Sequence, residues 1–120
     1  VVLAGGRLVG DIRTERPEFG EHEQPTGPDE PWHEVAIAEG TWLAARLGRG
    51  RARVNSTHHQ GVVDLPPGLR VLASAGRLIE AVDDGTPRWV GVQWHPELLA
   101  DDLSRALYAN LVREALRNPT

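Results

Sequence analysis

The sequence predicts a small α/β or α+β domain, and three patterns carry that prediction. Residues 33–38 alternate, with Val35 and Ile37 set between smaller or polar side chains, as a half-buried strand does. Two β-prone runs, 69–74 and 78–82, flank Ala75-Gly76 as the arms of an antiparallel hairpin. Leu99, Leu103, Leu107 and Leu111 recur every four residues with Ala106 beside them, which is the spacing of an amphipathic helix. The length of 120 residues suits one domain rather than two.

The elements follow in chain order. Residues 1–10 read as the end of a helix and a glycine-rich turn. Residues 13–31 form a long polar loop, broken by Pro17, Gly20, Pro25, Gly27, Pro28 and Pro31. Loops this long inside a compact domain are commonly functional lids or disordered. After the strand at 33–38, Thr41 is set to cap a short helix at 42–47, which Gly48 and Gly50 end. Residues 51–56 form a second strand that runs into the polar loop 57–61, and 65–68 is a turn. Beyond the hairpin, 83–87 turns again. Residues 89–94 are largely apolar, as a buried strand would be. The final helix spans roughly 15 residues, and Asn118-Pro119 stops it.

With only 4 Trp, 1 Tyr and 1 Phe, the core must rest on Leu, Val and Ala. One long helix covers one face of a sheet, whereas parallel or mixed sheets need both faces covered. That shortfall, with an opening on Val1 and no Met anywhere, leads us to expect a piece of a longer domain. Such a half-fold is expected to expose strand edges and apolar surface, and so to form homo-oligomers or pack against a missing N-terminal half.

Composition narrows the function. The chain is 40% hydrophobic and 25% charged, as in soluble globular proteins. It has no apolar run near the roughly 20 residues of a membrane helix, and its first residues lack the pattern of a signal peptide. The net charge of −4, without a basic stripe, argues against nucleic acid as a partner. Cysteine is absent, which removes disulfides, thiolate metal sites and a cysteine nucleophile from this chain, and fits a cytoplasmic setting. All 13 cationic residues are Arg, so Schiff-base chemistry through lysine is excluded.

One local constellation carries chemistry. In Gln93-Trp94-His95-Pro96-Glu97, His95 and Glu97 are two apart on extended chain and point the same way, and Pro96 restrains the backbone between them. A carboxylate that holds one ring N–H leaves the other imidazole nitrogen free as a base, the base-and-orienter half of a nucleophilic triad. The spacing alone also suits an ordinary strand-to-helix turn with an acidic residue near the helix start. A metal site among His33, His58, His59 and His95 is not expected, because their spacings match no zinc motif. No cofactor is expected. Trp32 and Trp94 read as core or wall residues.

Four ordered stretches add a resemblance. Val54-Asn55-Ser56-Thr57-His58-His59-Gln60, then Leu65-Pro66-Pro67-Gly68-Leu69-Arg70-Val71, then Ile79-Glu80-Ala81-Val82, then Val90 to Glu97, resemble class I glutamine amidotransferases. The nearest branch looks like the γ-glutamyl-γ-aminobutyrate hydrolases, which are peptidase C26-like. The opening at 3–12 resembles the segment after the family's nucleophile elbow, and the likeness then runs from 32 to about 112. The resemblance implies the C-terminal half of a flavodoxin-like α/β fold, with a mixed sheet and a long C-terminal helix. It implies a Cys-His-Glu triad with His95 as general base and Glu97 as its orienter. It implies a small-molecule γ-glutamyl substrate, and it places Ser56, His58 and Gln60 near the cleft as candidate substrate contacts. The family's cysteine would lie upstream of Val1. The competing expectation is a non-catalytic fragment or interaction subunit that needs a partner chain.

Overall fold

A computed structural model describes residues 5–117. Its centre is a seven-stranded sheet: β1 (Arg7–Val9), β2 (His33–Ile37), β3 (Arg51–Val54), β4 (Gly61–Asp64), β5 (Arg70–Ala75), β6 (Leu78–Asp83) and β7 (Val90–Val92). The strands run in the order β1-β4-β6-β5-β2-β3, and β7 pairs with β6 beyond β4. Three α-helices accompany it: α1 (Ile12–Glu15), α2 (Trp42–Leu47) and α3 (Asp102–Arg117). The α/β fold with a long C-terminal helix is therefore present. Among the described residues every ladder is antiparallel. Parallel pairing needs a crossover of a dozen or more residues, and the links from β3 through to β7 are too short to supply one.

Alternation sets the larger core. Val35 and Ile37 of β2 and Ala52 and Val54 of β3 point inward, while Glu34, Ala36, Arg51 and Arg53 point out. These inward residues pack with Leu72, Ala73, Ala81 and Trp94 beneath Leu43 of α2 and Leu103 of α3. Full burial of a leucine such as Leu43 contributes on the order of 2 kcal/mol. A smaller cluster, Val9, Ile12 and Leu78 with Phe19 and Val63 against it, lies around α1.

Local chemistry explains the helix ends. The Thr41 hydroxyl accepts from the Ala44 N–H at 3.3 Å, and Gly48 closes α2 in the left-handed conformation at φ 75°. The long helix starts at Asp102, later than Leu99, because Pro96–Leu98 forms a 3-10 turn and Asp101 then accepts from the Ser104 N–H at 2.8 Å. Its apolar stripe is covered only in its first half. Leu103 is buried, but Leu111, Val112 and Leu116 are exposed.

Two short strands, β1 and β4, are not expected from the sequence, where 7–9 read as part of a turn and 62–64 as no element. The expected helix end at the opening falls partly on residues 1–4, outside the described residues. The strand expected at 89–94 is shorter and only half-buried, because among the described residues β7 has a partner on one side alone, and Trp89 is exposed. Residues 13–31 are not free loop. They hold the end of α1 and a 3-10 turn at Pro17–Phe19, and the chain is then stitched to the β3–β4 loop. The Gln24 N–H donates to the Ser56 carbonyl at 2.8 Å, and the His58 N–H to the His22 carbonyl at 3.0 Å.

Candidate active site

Strand β7 leads into the candidate site. Trp94 is buried in the larger core and anchors the chain, and the Gln93 N–H donates to the Glu80 carbonyl at 2.8 Å. The next residue, His95, leads into the 3-10 turn that Pro96 opens. There the His95 Nδ1 lies 2.7 Å from Glu97 Oε1. An ionised carboxylate only accepts, so Nδ1 carries the proton and Nε2 presents its lone pair. Nε2 has no hydrogen-bond partner among the described residues. Both side chains are about half exposed, at 48% and 53%. The donated hydrogen bond from His95 holds the Glu97 carboxyl below the usual carboxylate range.

A third residue fixes this pair from below. Asn55, 1% exposed at the end of β3, grips the His95 backbone from both sides. Its Nδ2 donates to the His95 carbonyl at 3.0 Å, and its Oδ1 accepts from the His95 N–H at 2.9 Å. The same Nδ2 donates to the Pro28 carbonyl at 2.6 Å, which ties the 13–31 segment to the site. In the sequence Asn55 stands out only as part of a longer motif. Its clamp joins positions far apart in the chain, and no local pattern signals it.

The three candidate substrate contacts have different surroundings. Ser56 is buried, and its hydroxyl donates to the His22 carbonyl at 2.6 Å while its N–H donates to Gln24 Oε1 at 2.5 Å. The His58 Nδ1 donates to the Gln60 carbonyl at 2.6 Å, and its Nε2 turns inward to Glu80. Gln60 is exposed.

That inward turn reveals a second cluster, which spacing along the chain does not suggest. Glu80 in the middle of β6 is 2% exposed. Its Oε1 faces His22 Nδ1 at 3.5 Å, His33 Nε2 at 3.5 Å and His58 Nε2 at 3.7 Å. Burial alone would push its carboxyl up, but the surrounding imidazoles outweigh burial and hold it at about 2. Burial pushes the His22 imidazole down, and Glu80 with the Phe19 carbonyl more than reverses it, whereas at His33 burial prevails. The spacings that speak against a metal site are those of His33, His58, His59 and His95 taken together. In the folded chain His59 is exposed and His95 pairs with Glu97, while His22 and Glu80 join His33 and His58.

Comparison with known proteins places the chain in a family. The family model for peptidase C26 matches residues 1–97. The chain belongs to the peptidase C26 family. Among curated relatives, protein NtpR of Enterococcus hirae is 42% identical over 101 residues, covering 81% of this chain and 42% of that protein. The γ-glutamyl-γ-aminobutyrate hydrolase PuuD of Escherichia coli K12 is 42% identical over 122 aligned positions, covering 93% of this chain and 48% of PuuD. This peptidase C26 chain thus spans less than half the length of these relatives. A solved structure from Thermoplasma acidophilum, described as a GMP synthase component, superposes with a TM-score of 0.67. It is 18% identical, and the match covers 96% of this chain and 51% of the other, a likeness of fold. The fold of that structure and membership of the peptidase C26 family are thereby shown.

Proposed function

We propose that the protein hydrolyses γ-glutamyl amides through a Cys-His-Glu triad, with His95 the general base, Glu97 its orienter, and the thiol supplied from outside this sequence. The observation that carries the reading is the His95–Glu97 pair at 2.7 Å, with Asn55 holding the His95 backbone. Relatives named as γ-glutamyl-γ-aminobutyrate hydrolases support the substrate class.

His95 Nε2 takes the thiol proton, and the thiolate attacks the γ-carbonyl carbon. The imidazolium, steadied by Glu97, returns that proton to the leaving nitrogen as the C–N bond breaks. Water, deprotonated by His95, then attacks the γ-glutamyl thioester, releasing glutamate and restoring the thiol. Ser56 and His58 shape the wall, since their polar atoms already serve the fold, and the exposed Gln60 amide is the contact for substrate.

In the full-length protein, His95→Asn should lower glutamate release from a γ-glutamyl amide by about 10²–10⁴-fold while the fold is retained. Near-normal turnover in a folded variant would remove the assignment. A second reading is a non-catalytic subunit that needs another chain, favoured by the missing cysteine and the exposed Leu111, Val112 and Leu116. It predicts no hydrolysis by the full-length wild type on its own, and activity or assembly only with the added partner.

A further inference from the structure

The His22, His33, His58 and Glu80 side chains meet from four separate segments. His22 comes from the 13–31 excursion, His33 from the first position of β2, His58 from the β3–β4 loop and Glu80 from β6. One ligand atom from each lies within 4.8 Å of every other.

The outer nitrogen of each ring is already engaged. His22 Nε2 lies 3.0 Å from the Phe19 carbonyl, His33 Nδ1 lies 3.1 Å from the Glu34 carbonyl, and His58 Nδ1 lies 2.6 Å from the Gln60 carbonyl. A carbonyl only accepts, so each of these nitrogens is the protonated one. In the neutral rings the three inner nitrogens therefore aim lone pairs at a carboxylate oxygen. Neither the inner nitrogens nor either Glu80 oxygen has a hydrogen-bond partner. With the rings neutral, four buried electron donors facing one another without a cation between them repel.

We propose that these four residues form a closed site for a single divalent transition-metal ion of the zinc type, bound by three imidazole nitrogens and one carboxylate oxygen. Tetrahedral zinc with bonds of about 2.0–2.1 Å separates its donors by roughly 3.4 Å. The approaches of 3.5, 3.5 and 3.7 Å to Glu80 Oε1 are within a few tenths of that edge. Backbone carbonyls that orient the ligating imidazoles by their outer N–H are the usual supporting shell of such a site. Nitrogen and oxygen donors without sulfur suit zinc over softer ions. Small clefts lie beside His22 and His58 on one side, and beside His22 and His33 on the other. With all four positions filled by protein, the ion is structural. It pins the 13–31 excursion and the β3–β4 loop to β6, and so steadies the segment that Asn55 ties to His95.

The test uses the full-length protein, stripped with a chelator and reloaded with Zn²⁺ or Co²⁺. We expect one ion per chain, a higher melting midpoint when loaded, and the intense ligand-field bands of four-coordinate Co²⁺. X-ray absorption of the zinc form should show a nitrogen and oxygen shell with imidazole scattering and no sulfur. Glu80→Gln and His33→Asn should each weaken binding by more than about 100-fold. His59→Asn, an exposed neighbour in the chain, should leave it unchanged. If the cluster variants fail to fold, the wild-type stoichiometry and absorption spectrum still decide. A folded wild-type protein that takes up no ion would overturn the proposal and leave a protonated imidazole as the cation. A sulfur shell, or binding that survives Glu80→Gln and His33→Asn, would overturn it as well.

Discussion

Replacing Asn55 by alanine isolates the clamp that sets His95. The substitution removes three hydrogen bonds: to the Pro28 carbonyl at 2.6 Å, to the His95 carbonyl at 3.0 Å, and from the His95 N–H at 2.9 Å. At a net value near 1 kcal/mol each, the loss is about 3 kcal/mol of folding stability. Asn55 is 1% exposed, so water does not readily replace the lost partners and the figure is a lower bound. Urea unfolding monitored by circular dichroism should show the midpoint fall at unchanged slope. If His95 is the base, freeing its backbone should also lower kcat by about 100-fold, through misplacement of the ring, with KM little moved. Asn55→Asp keeps the acceptor for the His95 N–H but sets an anionic oxygen against two carbonyls, so at neutral pH it should be less stable than the alanine variant. A stability change within about 0.5 kcal/mol for Asn55→Ala, the range of ordinary surface substitutions, with normal kcat, would refute the clamp.

Two further predictions test the frame around the site. Asp83 is fully buried and accepts from Arg70 Nε at 2.9 Å, the Gly85 N–H at 2.9 Å and Trp42 Nε1 at 3.2 Å. Burial raises its pKa, but these donors outweigh burial and lower it below the usual aspartate value. A lowered folded-state pKa contributes stability that is present above the unfolded value of about 3.9 and is lost as pH falls through the folded value. Asp83→Asn should therefore be less stable than wild type at neutral pH, and the gap should narrow in acid melts below about pH 4. A gap independent of pH would count against it. At Gly61, an added Cβ would lie 2.5 Å from Leu78 Cδ1 and 3.3 Å from Ile12 Cδ1. Gly61→Ala should cost about 1–3 kcal/mol by overpacking the smaller cluster, as thermal melts would show. A neutral result would mean that Leu78 has room to turn aside.

The elements with a full period were legible before folding. Strands β2 and β3 announce themselves by alternation, α2 by Thr41 and Gly48, and α3 by its leucines, because each signal lies within a few consecutive residues. The His95–Glu97 pair was legible for the same reason, since Pro96 and a spacing of two set its geometry locally. Strands β1 and β4 were not. Strand β1 has only 3 residues and β4, Gly61-Val62-Val63-Asp64, does not alternate, so pairing with each other and with β6 is what makes them strands. Tertiary structure alone decided the Asn55 clamp and the gathering of His22, His33, His58 and Glu80, because their partners lie tens of residues apart in the chain. Local chemistry can set a turn, a cap or a neighbouring pair. Convergence on one buried point requires the sheet to be assembled first.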